Sequence, residues 1–91
     1  MASYGKDKQK IKARLSRIEG QIRGVQRMVD NDKYCVDILT QVSSIIAASH
    51  RVGQIILKDH IKGCVKDAVA SKNGDKSVEE VMQVIERFIK A

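Results

Sequence analysis

The chain has no proline and no tryptophan, and its only aromatic residues are Tyr4, Tyr34 and Phe88. Without turn-forming prolines and strand-packing rings, a β-sandwich or barrel is disfavoured. No apolar run approaches the ~20 residues needed to span a bilayer. The opening segment MASYGKDKQK is charged where a secretory leader is apolar, so the expectation is a cytoplasmic protein without a membrane partner. Cysteine is scarce as well, Cys35 and Cys64 alone. In a chain with no export signal they read as reduced thiols used for chemistry or packing, and not as a disulfide frame. What remains, 91 residues with 43% hydrophobic and 31% charged, fits one globular domain over 1–91.

Acid is what the first third lacks. Residues 1–28 hold eight Lys/Arg against Asp7 and Glu19, whereas residues 29–91 hold nine of each sign, so the whole formal excess of +6 sits at one end. That concentration points to a polyanion, nucleic acid first. A merely solubilising face is the plainer alternative.

Helical periodicity runs through the chain. Ile11, Leu15, Ile18, Ile22, Val25 and Val29 recur at alternating spacings of four and three, which predicts a helix over about 6–29 ending at Asp30-Asn31-Asp32. A second apolar stripe, from Cys35 through Leu39, Ile46 and Ile56 to Cys64, predicts one long helix over about 33–70, with Gly53 and Gly63 inside it. Asn73-Gly74-Asp75 reads as a stop. Ser77 and Glu80 look like a capping box that opens a third helix over about 78–90. The fold class is all-α, three helices.

Length then forces a conclusion about assembly. Thirty-six or so helical residues span roughly 54 Å, while a compact chain of this size is roughly 30 Å across. The long stripe therefore needs a second copy, most simply a two-fold dimer with antiparallel long helices.

His60 and Cys64 are one turn apart on the same helix face and can chelate one ion. Cys35 is roughly 37 to 44 Å away along the same helix, but an antiparallel partner brings it level with them. The pattern thus allows two intersubunit sites per dimer, each made by Cys35 of one protomer with His60 and Cys64 of the other. A helical cysteine is ordinarily a small hydrophobe and a lone histidine a structural residue, as we read His50. Here both thiols and an imidazole share one stripe and one symmetry operation joins them. Two thiolates and an imidazole are a soft set that suits Cu(I) or zinc. Zinc normally takes a fourth ligand, which favours Cu(I).

On the first helix Lys6, Lys10, Arg14 and Arg17 form a basic stripe, and Arg51 stands in mid-helix further on. Arginine grips phosphate bidentately, so Arg14, Arg17 and Arg51, with Lys10, are the candidate DNA contacts. Stacking aromatics are too few for a single-strand binder. Double-stranded DNA is expected, read through phosphate contacts and shape, since no helix-turn-helix signal is present.

The stretch RLSRIEGQIRGVQRMVDNDKYCVDILTQVSSIIAASHRV, with DHIKGCV after it, resembles the copper-sensitive operon repressor family (CsoR), small all-α bacterial regulators. The likeness runs from about Lys8 to Phe88. It implies a dimer-of-dimers homotetramer that holds an operator when metal-free and releases it on binding Cu(I), derepressing copper-resistance or efflux genes. Residue by residue, the copper sensors' Cys–His–Cys set matches Cys35, His60 and Cys64. A tyrosine and a glutamate that orient the site match Tyr34 and Glu80, and operator-binding basic residues match Arg14 and Arg51. Nickel and cobalt sensors in the group share the look of DKQKIKAR, but carry an N-terminal histidine where Ser3 stands and a histidine in place of Cys64. Formaldehyde sensors use an N-terminal proline that this chain lacks, and persulfide sensors keep both cysteines without the histidine. The rival classes are a constitutive DNA-packaging protein, with its cysteines in the core, and a thiol-reactive sensor. No small-molecule substrate and no enzymatic activity are expected, because no phosphate loop or orienting third group accompanies the His60–Cys64 pair.

Overall fold

The computed structural model describes residues 4–70 and 74–90, with backbone alone for 64, 65, 67–70, 74, 75, 77, 89 and 90. A single 3-10 turn, Gly5–Asp7, leads into α1 (Lys8–Asp30), α2 (Cys35–Ala70) and α3 (Gly74–Lys90). No strand occurs among the described residues, in agreement with the three-helix expectation. Neither is any described helix long and apolar enough to cross a membrane. Two compact units make up the chain: Lys8–Val52, and Gly53 onward together with the residues up to Asp7.

In the first unit α1 stops where the acidic turn was expected, and the hydrogen bonds explain why. The amide of Lys33 donates to the carbonyl of Met28 and the amide of Asp32 to that of Val29, with Asp32 in the left-handed region at φ 53°. This is a Schellman closure with aspartate where glycine is usual, tolerated because a short polar side chain accepts that backbone conformation. One residue later the Tyr34 carbonyl accepts from the amides of Asp37 and Ile38, so Tyr34 caps α2 and Cys35 is its first residue. Thr40 and Ser44 return their hydroxyls to the carbonyls of Val36 and Thr40, so they do not break the helix.

The long helix is continuous, as expected, through both glycines. Gly53 has a packing reason in the second unit: a Cβ there would overlap the ring of Phe88 on α3. The helix-weakening residue is what lets α3 seat against the α2 backbone.

The third helix corrects the sequence reading. It begins at Gly74, four residues before Val78, so Ser77 lies within the helix and the proposed Ser77–Glu80 capping box is not its start. Ser-x-x-Glu spacing also fits one turn of helix body, and Gly and Asp are themselves common at helix starts. Gly74 and Asp75 open α3; Asn73 lies outside the described residues.

The core is thin. Ile11, Ile18, Val52, Ile55 and Val81 are buried, but no described side chain is wholly enclosed. Leu15, Ile22 and Val29 of the α1 stripe are exposed, and on α2 Leu39 and Ile46 are 62% and 63% exposed.

Candidate metal centre and nucleic-acid face

His60 lies on α2 and Glu80 on α3, in the same compact unit. The imidazole Nε2 is shut off from solvent and has no hydrogen-bond partner; the nearest charge is Glu80 Oε1 at 3.9 Å, beyond hydrogen-bond reach. The side chains are otherwise accessible, His60 by 34% and Glu80 by 66%. An imidazole turned with one nitrogen toward a carboxylate leaves Nδ1 as the nitrogen for a ligand. Histidines that bind metals are commonly oriented this way, by a carboxylate on the non-ligating nitrogen. The orphaned nitrogen, the carboxylate opposite and the thiol chemistry of the donor set therefore fit a soft metal ion.

The two cysteines are placed differently. Cys35 is exposed at the first position of α2, with Tyr34, 67% exposed, just before it. It belongs to the first unit, and 25 helical residues separate it from His60 in the sequence. Cys64 lies within α2, but its side chain is outside the described residues. Among the described residues no three of His, Cys, Asp and Glu converge within the single chain. One protomer thus brings Glu80 to His60 and does not bring Cys35 to them.

A contact that sequence reasoning missed lies one residue from the imidazole. Asp59 faces Asp7 of the N-terminal 3-10 turn, and its Oδ2 has no hydrogen-bond partner. The neighbouring Asp7 carboxyl, through its hydrogen-bonding influence, is the largest of the causes raising the Asp59 pKa above its ordinary value, followed by desolvation and the Asp7 charge, against Lys62 and Lys58. A carboxyl with its folded-state pKa raised contributes stability below its unfolded pKa and loses it as pH climbs through the folded value. At neutral pH the pair therefore loosens the turn. Asp7→Asn is expected to raise the melting temperature at neutral pH and to flatten its decline as pH rises past the ordinary carboxylate range; a lower melting temperature at neutral pH contradicts this pairing.

On α1, Lys10 and Arg17 are exposed and Arg14 is half-buried; Arg51 is exposed on α2. None of the four is neutralised by an ion pair among the described residues, whereas Arg23 is paired with Glu19 at 3.8 Å. Unpaired guanidinium groups on a helix with no acid in its first turn are available to phosphate.

A basic helical frame with an imidazole held opposite a carboxylate has the build of a ligand-responsive regulator. The comparisons agree. The model of the metal-sensitive transcriptional repressor family matches residues 7–87. The copper-sensing transcriptional repressor CsoR of Bacillus subtilis (strain 168) is 48% identical over 86 residues, 94% of this chain and 85% of that one. Among solved structures, the copper-sensing repressor CsoR with Cu(I) from Geobacillus thermodenitrificans NG80-2 superposes with a TM-score of 0.85 at 45% identity, covering 93% of this chain and 88% of the other. The nickel-responsive transcriptional regulator InrS gives a TM-score of 0.81 at 41% identity, over 88% of this chain and 90% of its own. The chain belongs to the metal-sensitive transcriptional repressor family, a family of regulators and not of enzymes.

Proposed function

We propose that the protein is a Cu(I)-responsive repressor: a metal-free homo-oligomer that holds double-stranded operator DNA and lets it go when Cu(I) binds at Cys35 of one protomer and His60 and Cys64 of another. The observation that carries this reading is the His60 imidazole, its Nε2 buried without a hydrogen-bond partner and turned toward Glu80. Cu(I) supplies a soft, three-coordinate Lewis acid that thiolates and imidazole satisfy. Glu80 sets the ring's orientation, and Tyr34 stands beside the first thiol. Lys10, Arg14, Arg17 and Arg51 hold phosphates. The similarity to a repressor solved with Cu(I) supports the choice of metal.

Assembly is supported by what the single chain leaves uncovered. A groove of about 370 Å³ on the first unit is lined by Ile22, Val25, Val29, Val42 and Ile45. Leu39 and Ile46 lie exposed on α2. On a free surface Ile46→Lys is worth less than about 0.5 kcal/mol; at an interface it buries an unpaired charge. The expected result is a shift of this variant to monomer by light scattering on a sizing column, and an unchanged assembly argues for a different dimer face.

The test of the whole reading is an anaerobic titration with Cu(I) against a competing chelator, followed by operator binding with and without the metal. One Cu(I) per chain and release of DNA are expected. DNA binding indifferent to Cu(I) leaves the packaging protein; release by Ni(II) but not Cu(I) makes the chain a nickel sensor.

A further inference from the structure

We infer that the glycine-floored face of α1, from Lys10 past Arg17 and Gly24 to Arg27, is where the sugar–phosphate backbone of DNA lies closest to the protein. Arg27 is a phosphate contact beyond the four residues named above, and the inference rests on the repressor reading. Lys10, Arg17 and Gly24 are spaced by seven, two turns each, so they fall in one row of α1. Gly20 and Arg27 flank that row, four residues before Gly24 and three after it. From Lys10 to Arg27 the helix runs about 25 Å, long enough to follow several phosphates of one strand. No contact among the described residues explains the two glycines. A Cβ at Gly20 would meet nothing within 4 Å, and at Gly24 only a guanidinium nitrogen of Arg27 at 3.8 Å, an ordinary contact. Each glycine weakens the helix relative to alanine, and bare backbone is what lets a ligand come close. The one group near Gly24 is thus the Arg27 guanidinium, on an exposed residue with no ion pair among the described residues.

Charge decides between DNA and another helix as the occupant. A second copy seated here by two-fold symmetry would set this face against itself. Lys10, Arg17 and Arg27 would then meet their equals, with no acid on the face to answer them. Of the two acids of α1, Glu19 is paired with Arg23 at 3.8 Å and Asp30 lines the apolar groove. The residues that a second copy would cover lie elsewhere. Buried Ile18 and exposed Ile22 each stand two residues from Gly20, about 200° round the helix, so both apolar rows of α1 lie behind the glycines. A polyanion meets three cations along a floor of bare backbone. A phosphate comes nearer there than any Cβ would allow, and the attraction grows as the separation falls.

The probe is a labelled duplex selected from a random library by the metal-free, full-length wild-type protein, with binding read by fluorescence anisotropy across a salt series. Arg27→Ala is expected to lose about tenfold in affinity, and its slope of log affinity against log salt to shrink by about 0.9 for each copy in contact. Arg23→Ala removes a guanidinium that Glu19 already answers, and should stay within about 3-fold with its slope unchanged. Open space around the glycines keeps the fold safe under substitution. Gly20→Ala and Gly24→Ala should therefore melt higher than wild type and yet bind the duplex more weakly. Gly24→Leu, which holds a phosphate off the helix, is expected to lose about tenfold or more. Wild-type affinity in Arg27→Ala, or in all three glycine variants, overturns the inference. So does an equal loss in Arg23→Ala, which means that net charge alone is read. Dissociation of the oligomer by Gly24→Leu assigns the face to a second copy and overturns it too. If no duplex is selected by the wild type, the repressor reading fails first and takes this one with it.

Discussion

Operator binding by the Cys35→Ala protein is expected to survive, and its response to Cu(I) to be lost. Cys35 is exposed at the first position of α2, and among the described residues its thiol forms no disulfide or hydrogen bond. Its removal is therefore expected to leave the helices and the basic residues as they are, but to take one of the three proposed donors from the site. Coupled sites of this kind commonly exchange 1–3 kcal/mol, about 5–150-fold in affinity. With wild type in that range, Cys35→Ala is expected to release DNA less than about 2-fold at the same free Cu(I). His60→Ala should match it, with Glu80 also left without its imidazole. Fluorescence anisotropy on a labelled operator, with copper buffered by a chelator, measures both. By linkage the operator must weaken Cu(I) binding by the same factor that Cu(I) weakens the operator. Copper-driven release by Cys35→Ala removes that thiol from the site.

Arg14→Ala has the converse signature: operator affinity falls about tenfold or more, and Cu(I) affinity stays within about 3-fold. Arg14 is half-buried on α1 and unpaired among the described residues, so no acid of the described chain neutralises its charge before DNA arrives. Each phosphate it neutralises contributes about 0.9 to the slope of log affinity against log salt, and the slope should shrink by that much for every copy in contact. Arg14→Lys separates charge from geometry. It should restore the slope while recovering only part of the affinity, because an ammonium group lacks the two-pronged grip of a guanidinium. An unchanged slope in Arg14→Ala moves the DNA face elsewhere, with Arg51 next to be tested.

Where local rules govern, the sequence was legible. The alternating three- and four-residue spacing of the α1 stripe set that helix, and Asp30-Asn31-Asp32 marked its end within a residue. The continuity of α2 was readable because neither interior glycine sits in a polar cluster. The beginning of α3 was not: a Ser-x-x-Glu pattern has the same spacing in a cap and in a helix body, and only the chain before it distinguishes them. The pairing of Glu80 with His60 was reachable through likeness to known repressors; no periodicity singles out Glu80 from Glu79. Asp7 against Asp59 and Phe88 on Gly53 were illegible, since each joins residues dozens of positions apart with no motif to link them. Mid-helix Gly53 was the one visible hint, a residue that weakens its helix for a reason lying on another.

The tight join between α1 and α2 has a consequence for how firmly a metal is gripped. Lys33 is tied back to Met28, and Tyr34 is tied forward to Asp37 and Ile38, so no slack backbone separates the two helices. Freezing a loose residue costs roughly 1–2 kcal/mol. A thiol on a floppy arm spends part of its bond strength on that freezing every time it chelates. Cys35 rides on a mount already rigid, so chelation there as proposed would forfeit little chain entropy, and splicing flexible glycines into the join should erode grip without touching a single proposed donor atom.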